Sequence, residues 1–258
     1  MSIDIRSNLQ KFRPHLFKAQ EETLNEADTC QRIVKFFEEV LGYDVLEDIS
    51  KEKQIKDKYV DFAIKIDGNI KLLIEAKAAG ISLRDRHIEQ AERYAAEGNI
   101  PWVLLTNGLQ WILYHLSFDE GIEYERVFSV DLSSDESISN AADLLGLLHK
   151  KSIKRGEHEE FWEKRAALCP ASIGKVLMNS TILSILRREI RKQEGVLIDI
   201  EELAKSIHEM FTQEVREQIG PVRIRRKRKV AKANTVDISK DIGDTPPLPQ
   251  SNNTEESQ

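Results

Sequence analysis

Cysteine is scarce in this chain of 258 residues: only Cys30 and Cys169 occur, in unrelated contexts. Two isolated thiols argue against a disulfide framework or a cysteine-based zinc site, and they fit a reducing, cytoplasmic setting. No apolar run approaches the ~18 residues of a membrane span, so no membrane partner is expected. The opening MSIDIRSNLQKF lacks the apolar core of a secretion signal. A phosphate loop of the form G-x-x-x-x-G-K-[ST] is also missing, which argues against ATP use in this chain. Nor is there an excess of positive charge. The net charge is -6, which excludes a uniformly basic coat for nucleic acid but not a local basic groove. With 40% hydrophobic and 32% charged residues, the composition is that of a globular protein.

What is present centres on Tyr59 to Gly80, YVDFAIKIDGNIKLLIEAKAAG. Phe62, Ile64 and Ile66 alternate with Asp61, Ala63 and Lys65, and a second run from Ile70 to Lys77 is richer in aliphatic residues. Asp67-Gly68-Asn69 between them is a hairpin signal, because these residues tolerate the positive φ of a two-residue turn. An antiparallel pair brings the start of the first strand beside the end of the second. Asp61 is therefore expected near Glu75 and Lys77, which lie two apart and share one face. Bare charges at the end of an apolar hairpin are costly to bury. A hard divalent cation would account for them, with the lysine free to act on water or phosphate. The plainer alternative is a pair of solvated charges on an edge strand, Lys77 neutralising Glu75. Glu75-Ala76-Lys77 is the only acid-x-Lys triplet in the chain.

These residues resemble the PD-(D/E)xK nucleases, and within them the N-terminal nuclease domain of the R subunit of type I restriction enzymes. The resemblance runs from about Asn25 to Asp131. In that family an acid sits on the helix before the hairpin, matching Glu26 in Asn25-Glu26-Ala27-Asp28-Thr29. The next acid matches Asp61, and the Glu-x-Lys matches Glu75 and Lys77. A Gln-x-x-x-Tyr signature matches Gln90 and Tyr94. One departure is Val60, where a proline often stands. The resemblance implies a Mg²⁺-dependent DNA endonuclease, with Mn²⁺ able to substitute. Asp61, Glu75 and the Ala76 carbonyl would hold the metal. Glu26 would bind a second ion or position water, Lys77 would stabilise developing charge, and Gln90 and Tyr94 would hold the DNA backbone. R subunits continue into an ATP-driven translocase. Without a phosphate loop, a free-standing module of restriction or phage defence is expected. The alternative is a nuclease-fold protein that binds DNA or assembles with partners without cutting.

Along the chain, residues 1 to 24 read as irregular with a short helix. Asn25 N-caps a helix carrying Ile33, Val34, Phe37, Val40 and Leu41, closed at Gly42. Val45 to Ile49 reads as a strand, followed by a charged loop from Ser50 to Lys58 with Lys51, Lys53, Lys56 and Lys58. Ser82 to Asp85 opens a helix to about Glu97, on which His87, Gln90 and Tyr94 share a face. For Tyr94 the competing role is helix-to-sheet packing. Strands follow at 102–106, 110–116 and 126–131, with Trp102, Trp111 and Phe128 as core. The fold class is α/β: a restriction-endonuclease-like core of helix, three-strand antiparallel meander, helix and further strands in a mixed sheet, then an all-helical C-terminal module. The expected domains are 1–134, a helical module at 135–220, and a basic arm and tail at 221–258. The helices of 138–220 are candidates for a homodimer seam or partner surface. Residues 223–232, RIRRKRKVAK, carry seven basic residues and no acid, as an arm for DNA phosphates does.

Overall fold

A computed structural model describes residues 5–55, 58–119, 121–134 and 138–221. The described residues fall into two compact units, divided between Val176 and Leu177. The basic run at 223–232 lies outside the described residues.

The first element differs from expectation. Helix α1 (Ile5–Glu21) is regular over 17 residues despite Pro14 in its interior. Proline removes one helical hydrogen bond and crowds the preceding turn. Here Ile5, Leu9, Phe12, Leu16 and Ala19, spaced by three and four, bury one continuous stripe that outweighs this cost. Helix α2 (Glu26–Glu39) starts as its sequence indicates. The Asn25 side chain accepts the Asp28 N–H at 2.8 Å. The helix closes through Gly42 at φ 75°, with the Tyr43 N–H donating to the Phe37 carbonyl.

Of the strand expected at Val45 to Ile49, residues 45–48 are instead a turn. Asp44 Oδ1 accepts the N–H groups of Leu46 and Glu47, and Asp48 Oδ2 accepts the Asp44 N–H. Short carboxylate side chains that cap their own backbone compete with extended structure. Strand β1 (Ile49–Ile55) therefore begins later and runs through the lysine-rich stretch expected to be a loop. Strands β2 (Lys58–Ile66) and β3 (Asn69–Ala76) form the hairpin. Its turn, Asp67 at φ 49° and Gly68 at φ 80°, has positive φ at both positions, as a tight right-twisting hairpin requires.

A 3-10 turn at Asp85–Ile88 leads into α3 (Glu89–Gly98), so the α-helix begins later than Ser82. Strands β4 (Trp102–Thr106), β5 (Gln110–Ser117) and β6 (Glu123–Asp131) complete a mixed six-stranded sheet in sequence order. Among the described strands only β3 and β4 pair in parallel, joined by the α3 crossover. Helices α1 and α2 cover one face, Phe36 and Phe37 of α2 packing into one core with Leu72 and Trp111 of the sheet. Helix α3 covers the other over Ala63, Leu73 and Val103.

Helices α4 (Ile138–Gly146), α5 (Lys150–Arg155) and α6 (Glu157–Ala167) follow. Ile138, Ala141, Leu145, Leu148 and Ile153 join the core beneath α1 and α2. The Tyr43 hydroxyl donates to the Leu148 carbonyl at 2.8 Å, and Lys150 Nζ meets Asp48 Oδ2 at 2.5 Å. These helices complete the sheet's core and belong to the first compact unit. Helices α7 (Pro170–Leu177), α8 (Ser180–Glu194), α9 (Ile200–Glu209) and α10 (Gln213–Ile219) come next. The second unit has its own small core of Leu183, Leu203, Ala204 and Ile207.

Candidate active site

The site grows from a fork in the sheet. The paired register of β2 and β3 ends at Phe62 opposite Ile74. Beyond it β2 continues with β1, Val60 opposite Lys53. The chain leaving β3 stays with β4, the Lys77 N–H donating to the Thr106 carbonyl at 2.8 Å. Asp61 stands in the opening, and its Oδ2 accepts the Ala76 N–H at 2.8 Å. A side-chain carboxylate thus takes an amide that a neighbouring strand would otherwise have bonded.

Three of the expected site residues meet there, and a fourth lies alongside. Lys77 Nζ is 2.5 Å from Glu75 Oε1 and 3.8 Å from Glu26 Oε2. Glu26 is exposed on the first turn of α2, whereas Glu75 is only 4% exposed. Burial pushes the Glu75 carboxyl up to about 7, the nearby Asp61 charge adding to the rise and Lys77 opposing it. Burial alone would lower Lys77. The Glu75 hydrogen bond and the charges of Glu75, Glu26 and Asp61 outweigh it, so the ammonium is held above its ordinary value. Near neutrality the lysine is therefore fully charged, and the Glu75 carboxyl is poised between its two forms.

The donor set suits a hard divalent cation in kind. Asp61 and Glu75 supply carboxylate oxygens, Ala76 supplies a main-chain carbonyl, and such ions commonly bind one or two carboxylates with water and phosphate oxygens. No group of three or more His, Cys, Asp or Glu side chains among the described residues is arranged to hold a metal. Any ion here would rely on the two-carboxylate arrangement.

The two residues expected to hold DNA part company. Gln90 is exposed at the start of α3. Tyr94 is fully buried against the sheet with Val60, Ala63 and Leu73. The expected phosphate contact through Tyr94 is corrected to the packing role: no part of the ring reaches solvent, and its hydroxyl has no hydrogen-bond partner among the described residues. His87, on the preceding turn, accepts the Arg84 N–H through Nδ1.

Beside the fork lies a cleft of about 430 Å³ that sequence reasoning missed. Glu26, Ala27, Cys30 and Gln31 of α2 form one wall, with Lys51 of β1 and Asp61 and Phe62 of β2 opposite. Lys51 stands across from Phe62 in the β1–β2 register, adjacent to Asp61. That neighbour relation was the available signal, hidden because β1 read as a loop. Burial, with the charges of Asp61, Glu26 and Glu75, pushes the Cys30 thiol up to about 12, so it stays protonated and unreactive.

With this geometry in view, the comparisons with known proteins converge. Residues 25–128 match the family described as type I restriction enzyme R protein N terminus. A putative type II restriction enzyme and methyltransferase of Methanocaldococcus jannaschii is 30% identical over 105 residues. The match covers 39% of this chain and 9% of that relative, so the chain spans a small part of its length. No solved structure matches the chain. The region carrying Glu26, Asp61, Glu75, Lys77 and Gln90 is thus a restriction-nuclease-like domain. No helix among the described residues is long and apolar enough to cross a membrane.

Proposed function

We propose that the fork hydrolyses DNA phosphodiester bonds with Mg²⁺, as a PD-(D/E)xK endonuclease module of restriction or phage defence in the cytoplasm. The observation that carries this reading is the meeting of Asp61, Glu75 and Lys77 where β2 parts from β3. Asp61, Glu75 and the Ala76 carbonyl are the residues that would hold the ion. When bound, the ion supplies Lewis-acid polarisation of the phosphate. Lys77, a cation at neutral pH, offsets charge that develops on the phosphate oxygens, a form of stabilisation favoured in a water-poor setting. Glu26, on the far side of Lys77, orients water or supports a second ion. Gln90, exposed at the start of α3, is the residue that would meet a backbone phosphate.

The test is Mg²⁺-dependent nicking of supercoiled plasmid by the wild type, Asp61→Ala and Lys77→Ala. Each variant is expected to lose on the order of 10²- to 10³-fold in rate, the scale seen when one preorganised stabilising group is removed. Equal activity in all three ends the assignment. A second reading, a nuclease-fold protein that binds DNA without cutting, draws on the Glu75–Lys77 ion pair, which occupies a carboxylate that an ion would need. Calorimetry separates the two: DNA affinity with no Mg²⁺ or Mn²⁺ binding favours the second.

A further inference from the structure

We infer that the cleft between α2 and the β1–β2 edge is a subsite for a single unpaired nucleotide next to the phosphate being cut, with Lys51 holding that nucleotide's own phosphate. This inference rests on the nuclease reading above and adds to it the form of the substrate.

Three observations carry it. The first is continuity: the cleft shares Glu26 and Asp61 with the fork, so whatever fills it lies beside the proposed reacting phosphate. The second is the chemistry of its walls. Phe62, Ala27 and Cys30 give an apolar surface for a base or sugar, while the Gln31 amide can bond a base edge. Lys51 is exposed and makes no hydrogen bond or ion pair with any described residue, although acids line the same cleft. A cation left unpaired beside acids is placed for a ligand that brings its own negative charge. The third is size. At about 430 Å³ the space is of the class that takes one small molecule, and a base held in a duplex stack does not reach into it. Nucleotides enter such pockets only when extruded, and those already unpaired enter most readily. The subsite therefore selects strand ends, gaps and flaps over intact duplex.

Ala27 is exposed on α2, so Ala27→Trp fills the cleft from its mouth without touching the core. The experiment compares the wild type, Ala27→Trp and Lys51→Ala on intact duplex and on the same duplex with a single-nucleotide flap. Cleavage is followed in Mg²⁺. Binding is followed in EDTA through the fluorescence of a 2-aminopurine placed at the unpaired position. The wild type is expected to favour the flap by tenfold or more in kcat/KM and to change the 2-aminopurine signal. Ala27→Trp should abolish both the preference and the signal. Lys51→Ala should raise KM on the flap about tenfold, with kcat little changed. A wild type that cuts both substrates equally, or an Ala27→Trp that keeps the preference and the signal, overturns the subsite while leaving the nuclease reading intact. A wild type that cuts neither overturns the reading beneath it.

Discussion

Two side chains in the first compact unit are almost equally dry, one lying mainly among rings and the other among charges. Glu75 is 4% exposed and His158 is 2% exposed. His158 lies against the Trp102 ring, centroids 4.8 Å apart, and neither of its ring nitrogens has a hydrogen-bond partner among the described residues. Burial, aided by Lys71 and His115, lowers it to about 4. It is a neutral aromatic plate in a cluster where His115 also stacks on Trp162. Glu75 sits instead with Asp61, Lys77 and Glu26, and it is raised to about 7. Desolvation leads both shifts, and in both it suppresses charge. What separates them is company. A dry base among rings records how the core closed, whereas a dry acid kept among charged neighbours is set up for a ligand.

The comparison can be broken most decisively by activity. Asp61→Asn, beside Glu75, should lower Mg²⁺-dependent plasmid nicking by roughly 10²- to 10³-fold, and His158→Phe should leave it within about twofold. Loss of nicking in His158→Phe with the fold intact by circular dichroism would place function at the wrong end of the sheet. The next effect is on stability in acid. Between about 4 and the ordinary histidine value of 6.5, the unfolded chain binds more protons at residue 158 than the folded one. His158 therefore makes stability fall as pH drops through that window, by on the order of 2 to 3 kcal/mol. His158→Phe should remove that fall in urea titrations at pH 6.5 and 4.

Glu75 has the opposite slope. Its folded value lies above the ordinary 4.5, so the folded state holds the extra proton, and stability is lost as pH rises from 4.5 through about 7. In metal-free protein, Glu75→Gln should flatten this loss and gain on the order of 1 to 2 kcal/mol at pH 8. Added Mg²⁺ should raise the wild-type midpoint and leave that of Glu75→Gln unmoved. In the wild type the two slopes oppose each other between 4.5 and 6.5. The single variants should tilt the pH profile in opposite directions, and tilts of the same sign would refute the contrast.

Much of this was legible where the local code is strong. Asp67-Gly68 specifies the hairpin, and an antiparallel hairpin brings Asp61 beside Glu75. Asn25 specified the start of α2 in the same way. The errors lie where short-range and long-range preferences conflict. Pro14 and the charged residues around it hid α1, whose stripe makes sense only once there is a sheet to cover. Asp44 and Asp48 turned an apparently extended segment into a turn, which pushed β1 into the lysines. Tyr94 recurs at the right spacing for a face shared with Gln90. Spacing alone does not say which side of that face meets the sheet, and burial decided for packing. The dryness of Glu75 and the cleft under Lys51 arise only when α2 and the β1–β2 edge come together.

The return of α4 and α5 beneath α1 has a practical corollary for anyone dissecting this protein. The match to the restriction-enzyme family ends at residue 128, but the hydrophobic interior does not: Ile138, Leu145, Leu148 and Ile153 still belong to it. A fragment trimmed to the recognisable segment would leave α1 and the sheet with a raw apolar flank, inviting aggregation that could be mistaken for a dead enzyme. Excision after α6 would keep these residues together with the partners they were selected to cover.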